Sequence, residues 1–178
     1  MSLSNSHELV LTPRDNHQLY TRWHVPDSAI GIVLLVHGLG EHSGRYDHIV
    51  DVYTARNLGV VRFDLRGHGR STGQRGHARN YISLMNDVSL VLERAREDFP
   101  VRPLVVYGHS MGGGIVANWC LKNTPEEHGV IAVVLSSPWF TLTSTPPAWQ
   151  VFAIKNLARI WPWFTIPTRF RAKDLSRD

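Results

Sequence analysis

A serine lies between an apolar run and a cluster of glycines in the stretch VVYGHSMGGG, which covers Val105–Gly114. Glycine offers a strand no side chain to pack and costs backbone entropy, so glycines directly after an apolar run indicate a sharp turn or a close backbone approach. The stretch also matches G-x-S-x-G, in which a serine is held on a strained turn between a strand and a helix. It therefore predicts a strand over Leu104–Tyr107, a tight turn at Ser110 and a helix over Ser110–Asn123.

Other short apolar runs lie along the chain and are joined by longer helical patterns. They cover Ile32–Val36, Val60–Phe63 and Val130–Leu135. Continuous short runs of this kind are typical of strands that are buried on both faces of a parallel sheet. Two alternating segments, His7–Leu11 and Gln18–Val25, flank the turn-rich TPRDNH and predict an antiparallel hairpin before the parallel strands.

The clearest helical pattern covers Asn80–Phe99, where Asn80 is a suitable N-cap. A weaker pattern covers Gly44–Asn57. The element order predicts an α/β protein with a mostly parallel sheet and flanking helices, and its ligand should lie beyond the carboxyl ends of the strands. The apolar face of the helix predicted over Asn80–Phe99 contains Leu84, Val88, Val91, Leu92, Ala95 and Phe99.

Composition narrows the function classes. The 178 residues are 43% hydrophobic and 19% charged, which indicates a globular protein with enough apolar material for a core. The net charge of +4 is spread along the chain without basic runs, so we expect no nucleic acid partner. The single cysteine, Cys120, excludes an internal disulfide, and the first residues carry no leader pattern. We therefore expect a cytoplasmic protein.

Ser110 has the setting that an acyl-transfer nucleophile needs. Such a serine also requires backbone donors for the oxyanion, normally the N–H that follows the nucleophile and another N–H from the loop after the third strand. The amides of Met111 and Leu39 occupy these two positions. The loop HGLGEHSGRY, His37–Tyr46, leaves its strand at the same predicted edge of the sheet.

Three motifs together resemble the α/β-hydrolase superfamily, and within it the monoacylglycerol lipase and lysophospholipase group of hydrolases similar to S33 serine aminopeptidases. They are HGLGEHSGRY, FDLRGHGRSTGQRGH and GHSMGG, and their order and spacing agree over nearly the whole chain. The resemblance implies a carboxylic ester hydrolase with no metal or organic cofactor. It implies that Ser110 attacks the ester and that Leu39 and Met111 hold the oxyanion. It further implies that Glu41 and Arg45 order the polar end of the substrate pocket.

Histidines are frequent in the turns at the predicted active edge. His37, His68 and His109 all lie there, but none has metal-ligand spacing such as H-E-x-x-H, so we expect no metal site. In the resembled family the catalytic histidine comes later than any histidine of this chain.

The resemblance also divides the chain into residues 1–137, the hydrolase core, and residues 138–178, the start of a cap. Apolar residues at helical spacing in the cap, Val151, Ile154, Ala158 and Trp161, suggest contact with an acyl chain or transient contact with a membrane surface. The triad of this fold runs Ser, Asp or Glu, then His, and the sequence ends within the presumed cap, before the last two. We expect a further C-terminal segment to supply the Asp and the His.

Three alternatives stay open at this stage. The chain could be a non-catalytic truncated fragment, because it lacks the triad acid and base. It could belong to a peptidase of the same superfamily. It could also be a dinucleotide-binding module, although such a module has no use for the exposed serine at position 110. The sequence features that suggest it are three glycines after a strand, Gly38, Gly40 and Gly44, and an acid, Asp64, at the end of the next strand.

Overall fold

The chain is built around one sheet. A computed structural model describes residues 6–141 and 146–161, and these residues form six strands, four α-helices and two short 3-10 helices. The strands are β1 Ser6–Leu11, β2 Leu19–His24, β3 Gly31–Val36, β4 Leu58–Phe63, β5 Leu104–His109 and β6 Val130–Ser136. The α-helices are α1 Asp47–Thr54, α2 Tyr81–Asp98, α3 Met111–Lys122 and α4 Ala148–Ile160, and the 3-10 helices are Ser43–Tyr46 and Pro125–His128.

The strand order in the sheet is β1-β2-β4-β3-β5-β6. Strands β3, β4, β5 and β6 run parallel to one another, whereas β1 and β2 form an antiparallel hairpin with Val10 opposite Tyr20. Strand β2 also pairs antiparallel with β4. The predicted α/β fold with a mostly parallel sheet, and the predicted hairpin within it, are therefore confirmed.

Strand β3 lies in the middle of the sheet and is buried along its whole length. Its apolar sequence GIVLLV suits a strand that is covered on both faces. Because β3, β4 and β5 are parallel, their carboxyl ends meet at the same edge of the sheet. The loops that follow these strands carry Gly38, Asp64 and Ser110, so the sheet brings three separate parts of the sequence to one edge.

Helix α2 follows its predicted pattern, with one difference. The Asn80 side chain accepts a hydrogen bond from the Ser83 N–H at 2.8 Å, as expected of an N-cap. Its apolar face is buried, but Asp87 lies in that face and is fully buried as well. Hydrophobic periodicity alone gave no reason to place an acidic residue there.

Arg66, in the loop after β4, explains the burial of Asp87. The Arg66 guanidinium bonds both Asp87 carboxylate oxygens, at 2.7 and 2.5 Å, and Asp15 at 2.6 Å. Burial disfavours the charged guanidinium, but the two carboxylates outweigh it and raise the pKa of Arg66. This ion pair fastens the loop after β4 to α2 and to the turn of the hairpin.

Replacing Asp87 with Ala should lower the free energy of unfolding by about 3–5 kcal/mol, because it leaves the buried Arg66 charge without its bidentate partner. Urea unfolding of the complete protein measures the loss. Asp98→Ala is the matched control, since Asp98 pairs with Arg94 on the exposed surface of the same helix and should contribute less than about 1 kcal/mol. Equal losses in the two variants would show that the buried ion pair stabilises the protein no more than the exposed one.

Strand β6 is the last strand of the sheet in the described part of the chain, and its side chains are largely exposed. Ile131 is 71% exposed and Val134 is 44% exposed. An apolar strand at a sheet edge is a site for pairing with another chain. Because β6 exposes apolar side chains at the sheet edge, we expect the isolated chain to be poorly soluble.

The chain divides into two compact units, Met1–Thr141 and Leu142–Asp178. In the second unit, helix α4 exposes large apolar side chains, with Trp149 at 68%, Phe152 at 72% and Ile160 at 85%. Of the predicted apolar positions, Ile154 and Trp161 are also exposed. The rest of the presumed cap, beyond Trp161, lies outside the described residues, and the domain limits 1–137 and 138–178 stay a prediction.

Candidate active site

Ser110 occupies a strained turn between β5 and α3. Its backbone has φ 51° and ψ −117°, a conformation that residues with a Cβ rarely adopt. Three hydrogen bonds hold it there: the Ser110 N–H donates to the Ser136 carbonyl at 2.9 Å, and the Ser110 carbonyl accepts from Trp139 and Gly114. The geometry is the one that the pattern G-x-S-x-G predicts for a serine lifted above the end of a sheet.

The glycines on either side of Ser110 are required by close backbone contacts. A Cβ on Gly108 would stand 2.7 Å from the Gly112 carbonyl oxygen. A Cβ on Gly112 would stand 2.3 Å from the Val36 carbonyl oxygen, at the end of β3. Both distances are shorter than side-chain carbon atoms tolerate, so the turn can form only with glycine at these positions.

The loop after β3 lies against Ser110. Gly38 is buried, and a Cβ on Gly38 would stand 3.2 Å from the Ser110 Cβ and 3.2 Å from a Glu41 carboxylate oxygen. The structure thus brings the loop that carries Leu39 next to the turn that carries Ser110 and Met111. Leu39 itself is 45% exposed, so the surface beside the serine is accessible from solvent.

His37 is locked inside the protein by two backbone groups. Its Nε2 lies 2.9 Å from the Leu65 N–H, which can only donate, so Nε2 is an acceptor. The proton therefore lies on Nδ1, which donates to the Gly38 carbonyl at 2.7 Å. Burial is the main cause that lowers the pKa of His37 to about 4. His37 is a neutral structural residue that orients the Gly38–Leu39 peptide.

This environment makes His37 a source of pH-dependent stability. Its folded pKa of about 4 lies below the ordinary 6.5, so the unfolded chain binds the proton first. The stability that neutral His37 contributes is present above pH 6.5 and is lost as the pH falls toward 4. Between pH 6.5 and about pH 5 the protein should lose about 1.5 kcal/mol of unfolding free energy through this residue.

Urea unfolding at several pH values tests this expectation. His37→Asn should lower stability overall but flatten its decline from pH 6.5 to about pH 5. His48 is exposed, so His48→Asn should leave the decline unchanged. A decline in the His37 variant as steep as in the wild type would contradict the expectation.

Glu41 is bound by its own loop. Its Oε2 accepts hydrogen bonds from the Gly38 N–H at 3.0 Å and from the Tyr46 hydroxyl at 2.7 Å. Its Oε1 lies 3.7 Å from the Arg45 guanidinium. Burial disfavours the charged carboxylate, but the hydrogen bonds from Tyr46 and Gly38, with the nearby charge of Arg45, lower the pKa of Glu41. Tyr46 is the residue here that sequence reasoning missed, and the only signal was its place at the end of the loop motif.

The other histidines at this edge have different surroundings. His68 is buried, its Nδ1 lies 3.0 Å from the Arg66 carbonyl, and its Nε2 has no hydrogen-bond partner among the described residues. The His109 Nδ1 lies 3.2 Å from the Ser136 hydroxyl. Within residues 6–141 and 146–161, no three His, Cys, Asp or Glu side chains come together in a group that could hold a metal ion.

Two observations argue against the dinucleotide alternative. The Gly38 N–H, which a phosphate-binding loop would offer to its ligand, donates to Glu41 instead. Asp64, which stood in the place of a ribose-binding acid, is 2% exposed. Its carboxylate accepts the Ser43 and Arg70 N–H groups, both at 2.7 Å, and so joins the loops after β3 and β4.

The fold and the turn at Ser110 define an α/β hydrolase. A family model described as "Serine aminopeptidase, S33" matches residues 27–178, and the chain belongs to this family. It is 41% identical over 120 residues to a monoacylglycerol lipase of Mycolicibacterium smegmatis, covering 67% of this chain and 42% of that protein. It is 31% identical to the phospholipase YtpA of Bacillus subtilis, covering 63% of this chain and 42% of that protein.

Solved structures show the same relationship. The chain matches the monoacylglycerol lipase of Paleococcus ferrophilus with a TM-score of 0.72 and 32% identity, over 90% of this chain and 58% of that one. Against these relatives the chain spans about half of their length. The predicted family resemblance is confirmed, and the relatives with these names are ester hydrolases. None of the helices in the described part of the chain has the length and apolar character that crossing a bilayer requires.

Proposed function

We propose that the complete protein is a serine ester hydrolase that cleaves monoacylglycerols, lysophospholipids or similar monoacyl esters. The observation that carries the proposal is the strained turn that presents Ser110 at the carboxyl edge of the sheet, beside the loop of Leu39. Relatives named monoacylglycerol lipase and phospholipase support the substrate class.

In this mechanism the Ser110 Oγ attacks the ester carbonyl carbon, and the N–H groups of Leu39 and Met111 stabilise the oxyanion that forms. The bond to the alcohol then breaks, and the alcohol leaves with the proton that a base has taken from Ser110. Water attacks the acyl-serine, releases the fatty acid and restores the hydroxyl. The chain spans about half the length of its relatives, and in this proposal the base and its carboxylate partner belong to a further C-terminal segment.

The substrate should combine an apolar acyl chain with a small polar head. Helix α4 is rich in exposed apolar side chains, among them Trp149, Phe152 and Ile160, which suit an acyl chain or transient contact with a membrane surface. Glu41 and Arg45 remain the candidates that order the polar end of the pocket. Glu41 accepts the Gly38 N–H at 3.0 Å, and the Arg45 guanidinium lies 3.7 Å from the Glu41 Oε1, which supports this assignment.

A peptidase of the same superfamily is the second candidate, because the family model carries the description of an aminopeptidase. Hydrolysis of medium- and long-chain monoacyl esters by the complete protein, compared with hydrolysis of dipeptide amides, separates the two candidates. We expect faster turnover of the esters and labelling of Ser110 by a fluorophosphonate probe, located by peptide mass. Faster turnover of the amides would replace the lipase proposal with the peptidase one.

A further inference from the structure

The amide of Leu39 can act as an oxyanion donor only if its N–H points toward the serine. The Leu39 N–H and the Gly38 carbonyl belong to one planar peptide, in which they point in opposite directions. The carbonyl is turned toward the buried His37 ring, which donates to it at 2.7 Å, so the N–H is turned away from that ring. The orientation of this donor therefore depends on what holds Gly38 in place.

The preceding peptide is held by a side chain. The Gly38 N–H donates to the Glu41 Oε2 at 3.0 Å, and the same oxygen accepts the Tyr46 hydroxyl at 2.7 Å. Tyr46 is 7% exposed and ends the 3-10 helix Ser43–Tyr46, so it ties Glu41 to a rigid element. The pKa of Tyr46 is raised by burial and by Glu41, so its hydroxyl keeps its proton and stays a donor.

We propose that Glu41, anchored by Tyr46, is a positioning residue that fixes the Gly38 peptide and so aims the Leu39 N–H at the oxyanion. This inference rests on the proposed function and gives Glu41 a role other than contact with the head group of the substrate. Its Oε2 already accepts two hydrogen bonds from the protein, which reduces its capacity to bind a substrate hydroxyl.

The two roles differ in which substrates and which constants they affect. A residue that positions the oxyanion donor lowers kcat on every ester, because the donor matters most in the transition state. A residue that binds the head group raises KM, and only for substrates that have a polar head. Two esters with the same acyl chain distinguish them: a monoacylglycerol, and a p-nitrophenyl ester, whose leaving group has no free hydroxyl.

We expect Glu41→Ala in the complete protein to lower kcat about 10- to 100-fold on both esters, somewhat less than the loss of a whole oxyanion donor, with little change in KM. The inhibition constant of an alkyl trifluoromethyl ketone, which forms a tetrahedral oxyanion on the serine, should rise by the same factor as kcat/KM falls. Glu41→Gln should restore most of the rate, because its amide oxygen can still accept both hydrogen bonds. Tyr46→Phe should lose less than Glu41→Ala, because the bond to Gly38 remains.

Glu93→Ala is the matched control, since Glu93 is exposed on helix α2. Circular dichroism gives the folded fraction of each variant, to which the rates are normalised. A loss confined to the monoacylglycerol, or a Glu41→Ala variant as active as the control, would overturn the positioning role while the proposed function stands. A wild-type protein that cleaves neither ester and is not labelled by a fluorophosphonate would overturn the proposed function, and this role with it.

Discussion

Replacing Ser110 with Ala should lower kcat for monoacyl esters by about 10⁵- to 10⁶-fold in the complete protein. In the proposed mechanism the hydroxyl on the turn after β5 forms the acyl intermediate, and Ala at this position cannot form it. The oxyanion donors and the substrate pocket would remain, so a small residual rate over water should persist. Initial rates with a monoacyl ester, measured at saturating substrate, give the loss directly.

Covalent labelling provides a second measurement for the same variant. A fluorophosphonate probe should modify the wild-type protein at Ser110 and should not modify Ser110→Ala. Ser28→Ala is the control, since Ser28 is an exposed serine outside this edge of the sheet, and it should be labelled and active like the wild type. Labelling that persists in the Ser110 variant would mean that another residue is the nucleophile.

The second large effect concerns the 178 residues by themselves. We expect this chain, purified and verified by mass, to hydrolyse monoacyl esters with a kcat at least about 10³-fold below that of the complete protein. A serine hydroxyl is a weak nucleophile at neutral pH unless a base takes its proton and delivers it to the leaving alcohol. In this sequence all ten histidines come before residue 129, ahead of the place where the family has its base.

The structure argues against His37 as a substitute for that base. Both ring nitrogens of His37 are engaged by the backbone, at Leu65 and Gly38, and its pKa is lowered to about 4 by burial. His68 is different, because its Nε2 has no partner among the described residues. If the isolated chain reached an ordinary rate of about 10 s⁻¹, the expectation would be wrong, and His68→Asn would show whether His68 is the base.

Adding the C-terminal remainder should restore activity if it supplies the Asp and the His. Co-expression of that segment with residues 1–178 tests this. The exposed apolar side chains of β6 lead us to expect that the isolated chain is poorly soluble or self-associates. Full activity of the isolated chain as a soluble monomer would contradict both expectations.

Local patterns in the sequence were sufficient for the elements and for the turn at Ser110. The apolar runs, the hairpin and the N-cap at Asn80 all depend on residues that are neighbours in the chain, and the structure confirms them within a few residues. The start of α1 was less well predicted: a helix was expected from Gly44, but a 3-10 turn over Ser43–Tyr46 precedes α1. At the start of a helix, a 3-10 turn and an α-helical turn have similar local sequence preferences, so the sequence alone does not distinguish them.

By itself, the sequence determined the α/β class, the strand-to-helix turn and the identity of its serine. The spacing of glycines and the periodicity of apolar residues reflect constraints on the backbone that act over a few neighbouring residues. Only the tertiary structure decided what the polar residues do. The buried pair of Arg66 and Asp87, and the two bonds that make His37 a neutral structural residue, join segments that are distant in the chain. No periodicity encodes such partners, since each depends on which loops the sheet brings to the same edge.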